Sequence, residues 1–180
     1  MSQLILKNTL AQIIARVLVV FFSFFLVRLL INYLGRDEYG VYSFVIAVVV
    51  FFATISDWGT NIIAVREAAQ NRKKQKEIFN TVLFTRLLFS IAALLLVNLM
   101  VRFYSPWREF ITPITISSFV LIFLSIKTSL AVIFQTLLRL ELNALVEVVG
   151  SISFFLLTLF FLKAGGDVNW VLTGWIMSAI

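Results

Sequence analysis

The sequence lacks cysteine and histidine entirely and has few charged residues. Of its 180 residues, 13% are Asp, Glu, Lys or Arg, about half the ~25% usual for a soluble domain. The absence of cysteine excludes disulfides and thiolate metal sites. The absence of histidine removes the commonest catalytic base and metal ligand. The two prolines and seven glycines are few enough for long, uninterrupted helices.

Hydrophobic residues dominate what is present. They make up 61% of the chain, with a mean hydropathy of +1.02, against roughly 45–50% apolar residues in soluble domains. This composition excludes a soluble globular domain or a disordered chain and predicts an integral membrane protein. Runs such as residues 45–52 are apolar on every face and show none of the alternation of barrel strands. We therefore predict an all-α membrane protein.

Six apolar stretches predict a six-helix transmembrane bundle. They are residues 9–34, 41–64, 79–101, 113–135, 144–162 and 169–180. About 20 residues are needed to cross the hydrocarbon core as a helix. The last stretch is shorter than that, so we expect the chain to be part of a longer protein. Between the first two stretches, Gly35 and Gly40 predict a tight turn.

Loop charges predict the orientation of the bundle. The side that holds the N-terminus carries seven cations: Lys7, Arg66, Arg72, Lys73, Lys74, Lys76 and Arg139. The opposite side carries four: Arg36, Arg102, Arg108 and Lys163. Because cytoplasmic loops are enriched in Lys and Arg, we predict a cytoplasmic N-terminus. The basic run 72–76 is interpreted as a topology signal and headgroup anchor, and no nucleic acid is expected as a partner.

Several ionisable residues fall inside the predicted spans. The cations are Arg16, Arg28, Arg86 and Lys127, and the acids are Asp57 and Glu147. A charge at the centre of a span costs roughly 2.5–3.5 kcal/mol, so such groups usually face a bundle interior or a wet cavity. Helix rise puts Arg16, Asp57, Arg86 and Lys127 about 10–13 Å from the cytoplasmic end. A shared depth from four helices predicts a common cavity.

A cationic cavity favours an anionic substrate, because the planar guanidinium binds phosphate through two parallel hydrogen bonds. Arg16 is the main candidate, on a helix face with Thr9, Gln12 and Ser23; Arg86 and Lys127 support it. Asp57 and Glu147 are interpreted as counter-charges or coupling groups. The alternative role for Arg16 is purely structural, as the partner of Asp57 in an ion pair. Arg28 is expected to extend to the outer interface.

Neither an enzyme nor a bound cofactor is expected. The sequence has no phosphate-binding loop, no nucleophile elbow and no pair of acids at metal-ligand spacing. No metal site is predicted. The residue chemistry therefore favours a transporter, and a non-transporting scaffold stays as an alternative in which the same charges form structural pairs.

Three short segments resemble the polysaccharide biosynthesis exporters, the O-antigen flippase family of the multidrug/oligosaccharidyl-lipid/polysaccharide exporter superfamily. They are Leu6-Lys7-Asn8-Thr9, Leu34-Gly35-Arg36-Asp37-Glu38-Tyr39-Gly40-Val41-Tyr42, and Ser56-Asp57-Trp58-Gly59 followed by Arg66-Glu67. The resemblance covers residues 6–67, and the rhythm of helices and loops agrees to the end of the chain.

The resemblance implies a bacterial inner-membrane protein of usually 12 or 14 helices in two lobes, with residues 1–180 as the N-terminal lobe. It implies that the substrate is an undecaprenyl-pyrophosphate-linked oligosaccharide, flipped to the periplasmic leaflet for O-antigen and lipopolysaccharide biosynthesis. A polysaccharide polymerase complex is a further implied partner, besides the lipid bilayer. A multidrug exporter of the same superfamily is the other alternative, although the first helix carries Arg16 and no acid. An ion gradient, the membrane potential or downstream consumption would drive transport.

Overall fold

The computed structural model describes the backbone of residues 2–57 and 59–179, and their side chains except those of residues 2–5, 7 and 72. Helices account for 94% of the chain, and the described residues form no strand. The predicted all-α fold is confirmed. Trp58 and Ile180, and the side chains of Lys7 and Arg72, were used in the sequence analysis but lie outside the described residues.

Seven α-helices follow one another along the described chain. They are α1 (Ser2–Asp57), α2 (Thr60–Gln70), α3 (Gln75–Phe103), α4 (Ile111–Ser118), α5 (Val120–Thr136), α6 (Leu140–Lys163) and α7 (Val168–Ala179). Short 3-10 helices connect some of them, at Arg72–Lys74 and Ser105–Phe110. Four helical segments are long and apolar enough to cross a membrane: Asn8–Gln70, Gln75–Phe103, Ser105–Thr136 and Leu140–Lys163. The chain is therefore a multi-pass membrane protein.

Helix α1 is broken at Gly35, which has φ 79° and ψ −177°. Only glycine adopts this conformation readily. We call residues 2–34 the first limb of α1 and residues 36–57 the second limb. The predicted turn is thus confined to one residue: Gly40 is helical and belongs to the second limb. The expectation of a loop over residues 35–40 is corrected, because the chain resumes helical geometry directly after Gly35.

Two of the predicted spans are interrupted. The stretch 41–64 is divided at Gly59, which is left-handed with φ 71°. The stretch 113–135 is interrupted at Phe119. The N–H of Phe119 donates to the carbonyl of Ile116 at 3.3 Å, and the carbonyl of Phe119 accepts from the N–H of Ile122 at 3.2 Å. Such i to i+3 bonds form a local 3-10 turn between α4 and α5. Helix α7 has 12 residues, or about 18 Å, which is shorter than the ~30 Å hydrocarbon core.

The buried core lies where the second limb, α3, α4 and α7 meet. Its fully buried members include Val45, Val49, Val97, Ile114 and Leu172. Helix α1 packs mainly along α6, and much of the surface of its first limb is exposed and apolar. In a bilayer such a surface faces lipid or another helical unit.

A polar network joins α3 to α4 inside this core. Asn98 donates from Nδ2 to Ser118 Oγ at 3.0 Å, and Thr115 donates from Oγ1 to Asn98 Oδ1 at 2.8 Å. Small hydroxyl side chains let the two helices approach closely, and interhelical hydrogen bonds of this kind stabilise membrane bundles.

The N-terminal part of α1 and two connections share one end of the bundle, which we call the basic end. Asn8 donates from Nδ2 to the carbonyl of Leu138 at 2.7 Å, which ties the first limb to the α5–α6 turn. One small cavity is lined by both Gln75, at the start of α3, and Leu137, at the same turn. The assignment of these segments to one side of the bundle therefore agrees with the structure.

Candidate functional site

An ion pair lies at the break between α1 and α2. Arg86 Nη2 is 2.6 Å from Asp57 Oδ1; the Arg86 side chain is 1% exposed and that of Asp57 41% exposed. Among the described residues it is the one ion pair within 4.0 Å. The pattern of charges along the sequence indicated Arg16 as the structural partner of Asp57, whereas the structure pairs Asp57 with Arg86.

The break at Gly59 explains the geometry of the pair. Asp57 ends α1 and Thr60 begins α2, so the backbone turns between them. Thr60 Oγ1 donates to the carbonyl of Asp57 at 2.9 Å and accepts a hydrogen bond from Arg86 Nε at 3.0 Å. The hydroxyl thereby holds the guanidinium against the end of α1. Within the described structure Arg86 Nη1 has no hydrogen-bond acceptor.

A cavity of about 270 Å³ adjoins the pair. Its polar lining consists of Thr54, Ser56, Asp57, Arg86, Ser125 and Thr128. Ser125 also donates to Ser90 Oγ at 3.4 Å, which continues the polar strip across α3 and α5. A cavity with this many polar walls is large enough and polar enough to hold water.

Lys127 lies in a different cavity, between α5, α6 and α7. This cavity has a volume of about 560 Å³, and its polar lining includes Asn143, Ser153 and Ser178. The ammonium lies close to Gly150, where a Cβ would be 3.6 Å from Lys127 Nζ. A methyl group at this position would therefore be in ordinary van der Waals contact with the lysine head.

Arg16 and Arg28 are both exposed on the first limb. Neither lines the cavity beside Arg86 or the one beside Lys127. In the part of the chain that the structure describes, Arg16 has no ion pair. Arg16, Arg86 and Lys127 therefore do not line the common cavity that was expected: Arg86 and Lys127 line separate cavities, and Arg16 lines neither. The reason is that a similar depth along the membrane normal does not determine which way each helix face points.

The polar stripe that the sequence assigned to the first limb is solvent- or lipid-accessible in the bundle. Gln12 and Ser23 are exposed, as is Arg16. Glu147, the second predicted counter-charge, is exposed on α6 and accepts a hydrogen bond from Asn143 of the same helix at 3.1 Å. It has no cationic partner among the residues described.

Sequence reasoning did not identify Thr60 or Asn98. The signal for Thr60 was present, because it follows Gly59 and lies three residues after an intramembrane acid. Asn98 is an amide in an otherwise apolar helix, which is itself a sign of an interhelical contact. The described residues contain no group of three or more His, Cys, Asp or Glu side chains arranged to hold a metal ion.

The arrangement is a helical membrane bundle with several charged groups in its apolar helices, and the family comparison agrees with it. The family model described as polysaccharide biosynthesis protein matches residues 5–180. The chain belongs to the polysaccharide biosynthesis protein family. Members of this family are transporters or flippases rather than enzymes. No curated protein and no solved structure gives a significant match to this chain.

Proposed function

We propose that the chain is part of a flippase that moves an undecaprenyl-pyrophosphate-linked saccharide repeat from the cytoplasmic to the periplasmic leaflet of the bacterial inner membrane. The product would serve cell-surface polysaccharide biosynthesis, as in O-antigen assembly. The observation that carries the proposal is the family match over residues 5–180 in a bundle whose membrane helices contain several cations. Those cations have the chemistry to bind a pyrophosphate.

Arg16 is the proposed main contact for the anion. It is exposed on the first limb, and no described acid pairs with it. A guanidinium that faced only hydrocarbon would be costly, so the stripe of Gln12, Arg16 and Ser23 is expected to face water, protein or substrate. A second helical lobe opposite this stripe would enclose a polar path, with residues 1–180 as the N-terminal lobe. The proposed topology has six crossings and a cytoplasmic N-terminus.

Lys127 and Arg86 are the proposed supporting cations, with different roles. Lys127 lines a cavity of about 560 Å³, where its ammonium offers a point charge to a phosphate. Arg86 is already paired with Asp57, so an anion would have to replace the carboxylate. Asp57 is therefore proposed as the coupling group, because loss of its negative charge would free Arg86. Glu147 is the proposed second counter-charge.

One observation favours the scaffold alternative for part of the site. Arg86 is almost fully buried and its ion pair ties α3 to the end of α1, as a structural pair would. Arg16 and Lys127 have no such partner among the described residues. The two functions are therefore distinguished best at Arg16, because a scaffold has no need of an exposed, unpaired guanidinium there.

The test compares Arg16 with Arg28 in cells that lack the native gene. Both residues are exposed cations of the same limb, so Arg28→Ala is a matched control. Loss of a desolvated, charge-assisted contact costs on the order of 1.5–3 kcal/mol, or roughly ten- to a hundredfold in binding. We expect a loss of this size in surface polysaccharide per folded molecule for Arg16→Ala.

Arg16→Lys is also expected to be impaired, because lysine keeps the charge but lacks the fork that binds two phosphate oxygens. Arg28→Ala should retain most of the activity. Normal surface polysaccharide in Arg16→Ala, at matched amounts of folded protein in the membrane, would contradict the proposed role of Arg16.

A further inference from the structure

Two cavities lie along α3 and share one lining residue. The first, of about 610 Å³, lies between α2 and the start of α3. The second, of about 920 Å³, lies between the second limb of α1 and the rest of α3. Thr60 lines both cavities. We call the combined feature the α3 groove, the first cavity its polar part and the second its apolar part.

One face of α3 forms the floor of the whole groove. Its lining residues recur every three or four positions, as one helix face requires: Glu77, Thr81, Thr85, Phe89, Ala92, Leu96 and Met100. The distance from Glu77 to Met100 corresponds to about 35 Å of helix rise. A single leaflet is only about half of the 40–45 Å bilayer. The groove is therefore longer than one phospholipid.

The polar part offers hydrogen-bonding groups that suit a saccharide. Among the residues whose side chains are described, its charged lining consists of Glu67, Lys74 and Glu77. Amides and hydroxyls supply further hydrogen-bonding groups, from Gln70, Asn71, Thr81 and Thr85. Carboxylates and amides accept hydrogen bonds from neutral hydroxyl groups such as those of a sugar.

The apolar part has the chemistry of a hydrocarbon channel. Almost all of its lining is aliphatic or aromatic: Phe44, Ala47, Val48, Phe51, Phe52, Ile55, Phe89, Ala92, Ala93, Leu96, Met100 and Trp107. The alanines of α3 and of the second limb leave the space between the two helices open. The groove thus changes from hydroxyl-binding to hydrocarbon-binding chemistry along a single line.

We propose that the α3 groove binds the lipid-linked saccharide directly, with the sugar in the polar part and the polyprenyl chain along the apolar part. The inference rests on the proposed function, because the ligand is the substrate proposed there. It assigns that substrate a second binding place, apart from Arg16 and Lys127. The length of the groove favours a polyprenyl chain over an acyl chain, and the hydrogen-bond acceptors of the polar part favour a ligand that carries sugar hydroxyls.

Photocross-linking tests the position of the chain. A benzophenone amino acid is placed at Ala92, which lines the groove, or at Ile91, which is exposed on the same helix outside it. The probe is undecaprenyl-pyrophosphate-linked N-acetylglucosamine, radiolabelled in the sugar, in vesicles of phosphatidylethanolamine and phosphatidylglycerol that contain the protein. We expect at least fivefold more labelled adduct at Ala92 than at Ile91.

Equal labelling at the two positions would overturn the proposal. So would adducts at Ala92 that contain only phospholipid, which would make the groove an ordinary lipid-facing surface, or adducts only with the protein itself. Because the readout is binding, the two proposals fail separately. Transport of the probe without enrichment at Ala92 removes the groove and leaves the flippase, whereas absence of both transport and enrichment contradicts both.

A second pair of variants tests the same site without the cross-linker. Ala92→Phe fills the apolar part, and Ile91→Phe adds the same ring at an exposed position outside it. Probe binding should fall about tenfold in Ala92→Phe and stay unchanged in Ile91→Phe. In the polar part, Glu67→Ala with Glu77→Ala should weaken binding of the sugar-linked probe about fivefold and leave binding of undecaprenyl phosphate unchanged. Equal losses within either comparison would overturn the assignment.

Discussion

The ion pair between Asp57 and Arg86 is expected to respond asymmetrically to mutation, because the two side chains are buried to different degrees. Arg86 is 1% exposed and Asp57 41% exposed. Asp57→Ala leaves a buried guanidinium whose one remaining hydrogen bond goes to Thr60. Removing one partner of a buried pair and leaving the other charged costs about 3–5 kcal/mol. This variant should be strongly destabilised.

The reciprocal change should be milder. Arg86→Met removes the buried charge and keeps much of the side-chain volume, while the carboxylate left behind borders a polar cavity. Partly exposed pairs contribute about 0–1 kcal/mol, and the lost hydrogen bond to Thr60 adds about 1 kcal/mol. We expect a total cost of about 1–2 kcal/mol. Arg86→Met should therefore rescue Asp57→Ala, with the double variant close to Arg86→Met alone.

The assay is SDS-induced unfolding of the purified protein in mixed micelles, followed by tryptophan fluorescence. A double-mutant cycle over the wild type, both single variants and the double variant gives the coupling energy between the two residues. Two results would refute the reasoning: an Arg86→Met variant less stable than Asp57→Ala, or additive effects with no rescue. Either would mean that the buried guanidinium does not depend on the carboxylate.

Three further predictions concern the scaffold of the bundle. Gly35→Ala should destabilise the protein by about 1–3 kcal/mol, because Gly35 has a φ of 79°. Gly40→Ala, in a helix with open space around it, should be neutral or slightly stabilising. Thermal inactivation in detergent compares the two variants, and equal losses of stability would contradict the strain argument. Asn98→Leu should cost about 0.6–1.7 kcal/mol by removing hydrogen bonds between α3 and α4, measured by the same SDS unfolding, and an unchanged stability would show that the network contributes nothing. A cysteine at Gln70 should be protected from an impermeant reagent in intact cells and one at Ser105 should be labelled, and the reverse pattern would invert the proposed topology.

The sequence predicted the all-helical, apolar character of the chain because its cause is local, whereas the predicted count of six transmembrane helices is not confirmed. Runs of about 20 apolar residues have one stable form in a bilayer, since every backbone polar group must be bonded within the segment. The break at Gly35 was also predictable, although its confinement to one residue was not. The interruption at Gly59 lies inside a longer helical stretch, and composition alone does not show that this glycine adopts a left-handed conformation.

The candidate site was less predictable, because its geometry depends on which helices are neighbours. Helix rise gave Arg16, Arg86 and Asp57 similar depths, and depth alone allowed either arginine to pair with Asp57. The structure pairs Asp57 with Arg86, because Thr60 and the bend at Gly59 bring the end of α1 against α3. Rotation about each helix axis is set by side-chain packing between helices, which a single sequence does not display.

The central claim is that the protein moves a lipid-linked saccharide between leaflets. The most direct measurement is the transfer of a fluorescent undecaprenyl-pyrophosphate-linked sugar across vesicles that contain the purified protein, under an imposed membrane potential and ion gradient. The account predicts transfer well above that of empty vesicles, reduced roughly ten- to a hundredfold by Arg16→Ala, with no acceleration of a fluorescent phospholipid. Transfer equal to that of empty vesicles, or equal acceleration of the phospholipid, would contradict it.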